Sequence, residues 1–320
     1  MDEAVDLLKD MVSIPSVTGS TEDAVDLLMN KCCSWGMETI IDRGALIVNP
    51  SARKLLLLGH IDTVPAGPPV RIKNGELWGR GSVDAKGPLC SAVSALRDVP
   101  DLWDNVMLMA VPDEEGGSET AYRLRDEIEE MPVVILEPSG AEGITISYNG
   151  RLLVRLEAIA EKSHSGHGVP FATEKVISLL NEINGILGPR ILEFGGGMEK
   201  AYMLLDIRYP KGTKPELPEA EKGVKIEMIE DVKPYRSDKS SMLVRSFMRA
   251  IRSTGGRPVF KKKTGTSDMN IIGERWSSPM IAYGPGDGRM DHTDEERMNI
   301  DEYLQGIEVL KHAIRDLADL

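Results

Sequence analysis

Apolar residues recur at helical spacing over residues 2–12 and 21–35, with Val5 and Leu8 in the first segment and Val25 and Leu28 in the second. This spacing predicts two amphipathic helices. Three wholly apolar runs follow, at Leu55 to Leu58, Val106 to Val111 and Val133 to Leu136. Continuous apolar strands set between helical stretches belong in a parallel sheet buried on both faces. A sheet of that kind offers ligands the crevice beyond the carboxyl ends of its strands.

Residues 149–235 follow a different rhythm. Arg151 to Ala160 alternates as a half-buried strand, and residues 172–187 read as a helix. Further strands are expected near 201–209 and 224–231. From about residue 236 the alternation of helix and strand resumes, ending in a helix over 301–317. The expectation is an α/β catalytic domain in two parts, 1–148 and 236–320, with a mostly parallel central sheet and helices on both faces. A smaller α+β lid, 149–235, interrupts it.

A chain of 320 residues is comfortable for two domains. The longest pure apolar run, Leu55 to Leu58, is far short of the about 18 residues that span a bilayer. The first residues, Met-Asp-Glu-Ala-Val-Asp, are acidic and amphipathic rather than signal-like, so the chain is expected in the cytoplasm. A formal charge of -13 argues against nucleic-acid binding, which needs a basic footprint. Cys32, Cys33 and Cys90 form no CxxC pair and read as reduced packing residues.

Chemistry gathers where the apolar runs stop. After Leu55 to Leu58 come His60 and Asp62, two residues apart and so on one face of an extended chain. Val106 to Val111 runs into Pro112-Asp113-Glu114-Glu115-Gly116-Gly117, and Val133 to Leu136 ends on Glu137. A glycine-rich turn, Gly79 to Gly87, delivers Asp84, and His292 lies in Met290 to Glu295 ahead of the last helix. Singly, each has a bland reading as a core histidine, a solvated loop or a helix cap. Together they would bring acidic side chains into one crevice, an arrangement that makes sense if dications neutralise them. Mixed nitrogen and oxygen donors favour zinc, with manganese or cobalt open. One aspartate shared by two ions, with one histidine and one carboxylate for each, leaves Asp62 as a supporting carboxylate and Glu114 as a general base.

The stretches GHIDTVP, LWGRGSVDAKG, VPDEEGG, ILEPSG, GTSD and the final His-Thr-Asp-Glu-Glu resemble the dizinc aminoacylase and carboxypeptidase family. The resemblance runs from about residue 5 to 315. It implies Asp84 as bridging ligand, His60 and Glu137 on one zinc, Glu115 and His292 on the other, Glu114 as acid/base and Asp62 as its support. It makes residues 149–235 a lid that also forms a homodimer contact. It assigns the oxyanion-stabilising role to His164, with His167 as the alternative. Arg208 resembles the lid arginine that grips a substrate carboxylate, and Gly265, Thr266 and Ser267 a loop that contacts that carboxylate.

Ser147 to Arg151 and Ala282 to Asp287 are most similar to the family's LysK-type branch, which releases lysine or ornithine from the C-terminal glutamate γ-carboxyl of a small acidic amino-group carrier protein. The rivals are a deacylase of acetylornithine or succinyl-diaminopimelate, a dipeptidase, and a catalytically dead metal-binding scaffold. Lys261, Lys262 and Lys263, just before the GTSD loop, would guide an acidic carrier or simply form a solvated face.

Overall fold

The computed structural model describes residues 2–318 other than 163, 165–167 and 214. The chain forms two compact units. The first runs to Ser147 and takes in Ser237–Lys262 and the chain from Ile271 on. The second comprises Tyr148–Arg236 and also Lys263–Asn270, so the loop expected to contact a substrate groups with the inserted segment.

In the first unit the strands lie in the order Thr39–Asp42, Ala45–Val48, Val106–Val111, Leu55–His60, Val133–Ile135, Met280–Ala282, Gly143–Tyr148. The four from Val106–Val111 to Met280–Ala282 are mutually parallel, and antiparallel strands flank them. Both six-residue strands, Leu55–His60 and Val106–Val111, are buried at every position. Leu55 and Leu57 face one large core with Val106, Leu108, Val134 and Ile281. Leu56, Leu58, Met107 and Met109 are buried as well, so neither face meets water. This is why the runs carry no alternation.

Helices supply the cover. Glu3–Ser13 begins on an Asp2 cap that accepts from the Ala4 amide at 2.9 Å. Glu22–Ser34, Lys86–Arg97, Met242–Ser253 and Ile300–Ala318 contribute Leu28, Leu89, Phe247 and Leu310 to the same core. In Met242–Ser253 the buried positions are Leu243, Val244, Phe247, Ala250 and Ile251, a single apolar stripe. Among the described residues no helix is long and apolar enough to cross a membrane.

A small ribbon of Arg71–Lys73, Glu76–Trp78 and Arg297–Asn299 has no counterpart in the sequence expectation. Each strand has only three residues, too few to show a period. The Arg71 and Arg297 guanidiniums each lie 4.7 Å from the centre of the Trp78 ring.

In the second unit four antiparallel strands lie in the order Arg190–Gly196, Lys200–Tyr209, Gly150–Ile159, Val224–Val232. Gly150–Ile159 alternates buried and half-buried residues along most of its length, and helix Ala172–Leu187 covers its apolar face through Val176, Leu179 and Ile183. Arg190–Gly196 went unforeseen because its residues are nearly all exposed and end in glycines, leaving no alternation to read.

Candidate metal centre

Register places the site. His60 stands opposite Val111 and Leu58 opposite Ile135 in neighbouring parallel strands. The residues that follow each strand therefore emerge side by side. Asp62 is fully buried, and its carboxylate fixes the next loop. Oδ1 accepts from the Glu114 amide at 3.2 Å, and Oδ2 from the Glu115 amide at 3.1 Å and the Thr18 hydroxyl at 2.6 Å. The backbone of Glu114 and Glu115, beyond Val111, is thus held by the aspartate that follows His60.

The imidazole of His60 is 2% exposed. Its Nδ1 lies 2.9 Å from the Asp62 carbonyl oxygen, a contact that fits an Nδ1–H donor and leaves Nε2 for other partners. Nε2 sits 3.3 Å from Asp84 Oδ1 and 3.7 Å from Glu137 Oε1. At the other end His292, a left-handed residue with φ 60°, places Nε2 3.0 Å from Asp84 Oδ2 and 2.8 Å from Glu115 Oε1. Asp84 therefore turns one oxygen to each histidine.

Donor atoms within 4.8 Å of one another form three groups able to hold a metal ion: His60, Asp84, Glu137; Asp84, Glu115, His292; and His60, Glu114, Glu115. The electrostatics agree with a cation-binding role. Burial alone would lower the His60 pKa, but the Asp62 and Asp84 carboxylates overcome it and raise it well above the ordinary range. Asp84 and then Glu115 push His292 up to about 10. Burial tends to raise Asp62, yet its His60, Thr18 and backbone donors bring it below the usual carboxylate range. The carboxylates thus draw protons onto the imidazoles, and the nitrogen and oxygen donors fit divalent cations in their place.

The first unit thus gathers His60, Asp62, Asp84, Glu114, Glu115, Glu137 and His292. His164, Arg208, Gly265, Thr266 and Ser267 all belong to the second. There, Arg208 Nη1 donates to the Thr266 hydroxyl at 3.4 Å, while its Nε and Nη2 lie 2.9 and 3.0 Å from Asp206. Arg151 Nε is 3.4 Å from the same aspartate. The Ser267 amide donates to Asn270 Oδ1 at 3.0 Å, which braces the loop beside exposed space at Gly265. His164 is exposed, and His167 lies outside the described residues.

Two supporting residues escaped the sequence reading. Glu296 is fully buried against the turn that carries Asp84, and Arg80 pairs with it. Glu296 sits inside the His-Thr-Asp-Glu-Glu stretch, but nothing local distinguishes it from exposed Glu295.

The chain belongs to Peptidase family M20/M25/M40, whose model matches residues 56–316. It is accordingly a hydrolase. A Pyrococcus furiosus protein provisionally named as a [LysW]-lysine/[LysW]-ornithine hydrolase is 39% identical, over 99% of this chain and 98% of its own. The [LysW]-lysine hydrolase of Deinococcus radiodurans is 32% identical over 98% of this chain and 97% of its own. In architecture the chain is similar to the M20 family metallo-carboxypeptidase Sso-CP2 from Sulfolobus solfataricus, with a TM-score of 0.77 at 17% identity and full coverage (100%) of both chains.

Proposed function

We propose that this hydrolase cleaves the amide joining lysine or ornithine to the C-terminal glutamate γ-carboxyl of a small acidic amino-group carrier protein. The observation that carries the chemistry is Asp84, whose two oxygens each face a different histidine, with the acidic pair Glu114 and Glu115 alongside. Support for the carrier comes from the full-length likeness to hydrolases whose names include it.

His60, Asp84 and Glu137 would hold one divalent cation, and Asp84, Glu115 and His292 a second. Two imidazoles among carboxylates suit zinc, and cobalt or manganese would also be accepted. When bound, such cations supply Lewis-acid polarisation of the scissile carbonyl and ease ionisation of water. Glu114 accepts the proton of the attacking water on a carboxylate oxygen. It then returns that proton to the nitrogen of the departing α-amine. A C–O bond forms and the C–N bond breaks, releasing the amino acid and a free glutamate γ-carboxylate. Asp62 orients His60 and, through the Glu114 amide, the loop that carries the base.

In the second unit His164, or His167, donates to the developing oxyanion. Arg208 and Thr266 receive the carboxylate of the amino acid, with Gly265 and Ser267 shaping the loop. Arg190–Gly196 leaves Ile191, Leu192 and Phe194 about half exposed, at 51%, 50% and 49%. An apolar open strand of this kind suits pairing with a second copy, and hence a homodimer through the lid. The free thiols Cys32, Cys33 and Cys90 suit a reducing compartment such as the cytoplasm.

The test is a hydrolysis panel with zinc- and cobalt-loaded enzyme, read as free amino acid released. It sets carrier protein bearing γ-glutamyl lysine or ornithine against acetylornithine, succinyl-diaminopimelate and dipeptides. Turnover confined to the carrier is the expected result and ranks the two amino acids. Preference for a small free substrate would overturn the carrier assignment.

A further inference from the structure

Glu296 is a fully buried carboxylate with no part in the chemistry above. Its Oε1 accepts from the Val83 amide at 3.0 Å and the Asp84 amide at 3.1 Å. Its Oε2 receives Arg80 Nη1 at 2.5 Å, and Arg80 Nε donates to the Ala66 carbonyl at 2.7 Å. The Gly79 amide, at the start of the same turn, donates to the Glu296 carbonyl at 3.3 Å. One residue therefore grips the Asp84 turn by side chain and by backbone.

The chain on either side explains why that grip matters. His292 stands four residues earlier. Immediately afterwards Arg297–Asn299 pairs with Glu76–Trp78, with Arg297 opposite Trp78 and Met298 opposite Leu77. The ribbon thus sets the loop bearing His292 beside the turn bearing Asp84, segments some two hundred residues apart in sequence. Glu296 closes the remaining gap. Glu295, the same residue type one position earlier, leaves its side chain 71% exposed. A buried charge is costly unless its hydrogen bonds are complete, and this one has three donors.

We propose that Glu296, with Arg80 behind it, is a positioning residue that holds Asp84 and His292 in register, so that the Asp84–Glu115–His292 group is assembled before a cation arrives. This rests on the reading of that group as a cation site. Asp84 belongs to both groups, but His60 and Glu137 follow their own strands while His292 depends on the same brace, so loss of Glu296 falls on both ions and hardest on the His292 end.

The experiment titrates Zn2+ alone into metal-stripped enzyme by calorimetry, alongside melting of the stripped protein. Wild type is expected to take up two ions. In Glu296→Leu the ion at the His292 end should weaken about 10–100-fold, and the ion at His60 and Glu137, which shares only Asp84 with that end, clearly less. Glu296→Gln keeps an oxygen for the Val83 and Asp84 amides, so it should recover most of that affinity. Arg80→Met should weaken the ion at the His292 end less than Glu296→Leu. In assays kcat should fall with KM nearly unchanged. Unchanged affinity for both ions, or equal weakening of both in step with melting, would overturn the assignment. Should Glu296→Leu fail to fold, the Gln and Arg80 variants decide by the same criterion: greater loss at the His292 end supports the proposal, and no loss or uniform loss defeats it. Uptake of fewer than two ions by wild type would instead overturn the shared-ligand reading of Asp84, and this inference with it.

Discussion

His60 and His292 each present Nε2 to Asp84, at 3.3 and 3.0 Å, yet one side chain is 2% exposed and the other 49%. The buried imidazole ends a strand of the central sheet, and the Asp62 backbone oxygen holds its far nitrogen. The open one sits on a loop, in left-handed conformation, and meets Asp84 and Glu115. A donor at a strand end is fixed when the core forms. A donor on a loop is fixed by whatever braces that loop, and by its ligand. The two halves of one centre therefore differ in how much of their geometry the fold supplies in advance.

The largest effect is expected between the halves. Glu114→Gln should leave metal content unchanged and lower kcat by about 10²–10⁴-fold, the usual worth of a general acid–base group. Near-wild-type turnover would remove Glu114 from its role. Next come the histidines. Removing the buried His60 takes from Asp62 and Asp84 the one imidazole that faces both, so His60→Ala should cost the metal-free protein about 3–5 kcal/mol in denaturant unfolding. His292→Ala should shift that unfolding curve clearly less than His60→Ala, because its half-exposed side chain is screened by solvent, while weakening one cation. Equal destabilisation by both would erase the contrast.

Protonation separates the halves more gently. Both imidazoles are raised above their unfolded value, about 6.5, so their contribution is full below that pH and is lost as pH rises through the folded value. For His292 that window lies between about 6.5 and about 10. Metal-free protein should lose stability across it, less steeply after His292→Gln. Cation uptake at neutral pH must displace these protons, so its calorimetric enthalpy should vary with the ionisation enthalpy of the buffer. A buffer-independent enthalpy would contradict the raised pKa values. The smallest effect concerns the strand Val259–Lys263. Serine at Lys261, Lys262 and Lys263 should raise KM for the carrier a few-fold at low salt and change little at high salt.

The buried half was the more legible in sequence, for the reason that makes it rigid. A strand covered on both faces writes itself as an unbroken apolar run, so Leu55–His60 and Val106–Val111 announced both the sheet and the places where polar donors leave it. Helices at 2–12, 21–35 and 301–317 were likewise visible from one apolar stripe each, and stand at Glu3–Ser13, Glu22–Ser34 and Ile300–Ala318. What was hidden depends on distant partners. Glu295 and Glu296 are one letter repeated, and only the turn at Val83 and Asp84 separates them. Nothing near Arg208 in sequence reveals that Thr266 meets it. The membership of Lys263–Asn270 in the second unit is a long-range arrangement with no local signature.

Lys86 ties the Asp84 turn to the start of the chain. It is 1% exposed, and its ammonium donates to the carbonyl oxygens of Met11 and Ile14, at 2.9 and 2.6 Å. Those oxygens close the end of helix Glu3–Ser13, so a cation two residues from Asp84 serves as that helix's stopper. Shortening the protein from its amino end would strand this charge in the interior, two residues after Asp84. A fusion or a proteolytic nick near residue 14 would then register as lost metal uptake, though it lies far along the sequence from every donor.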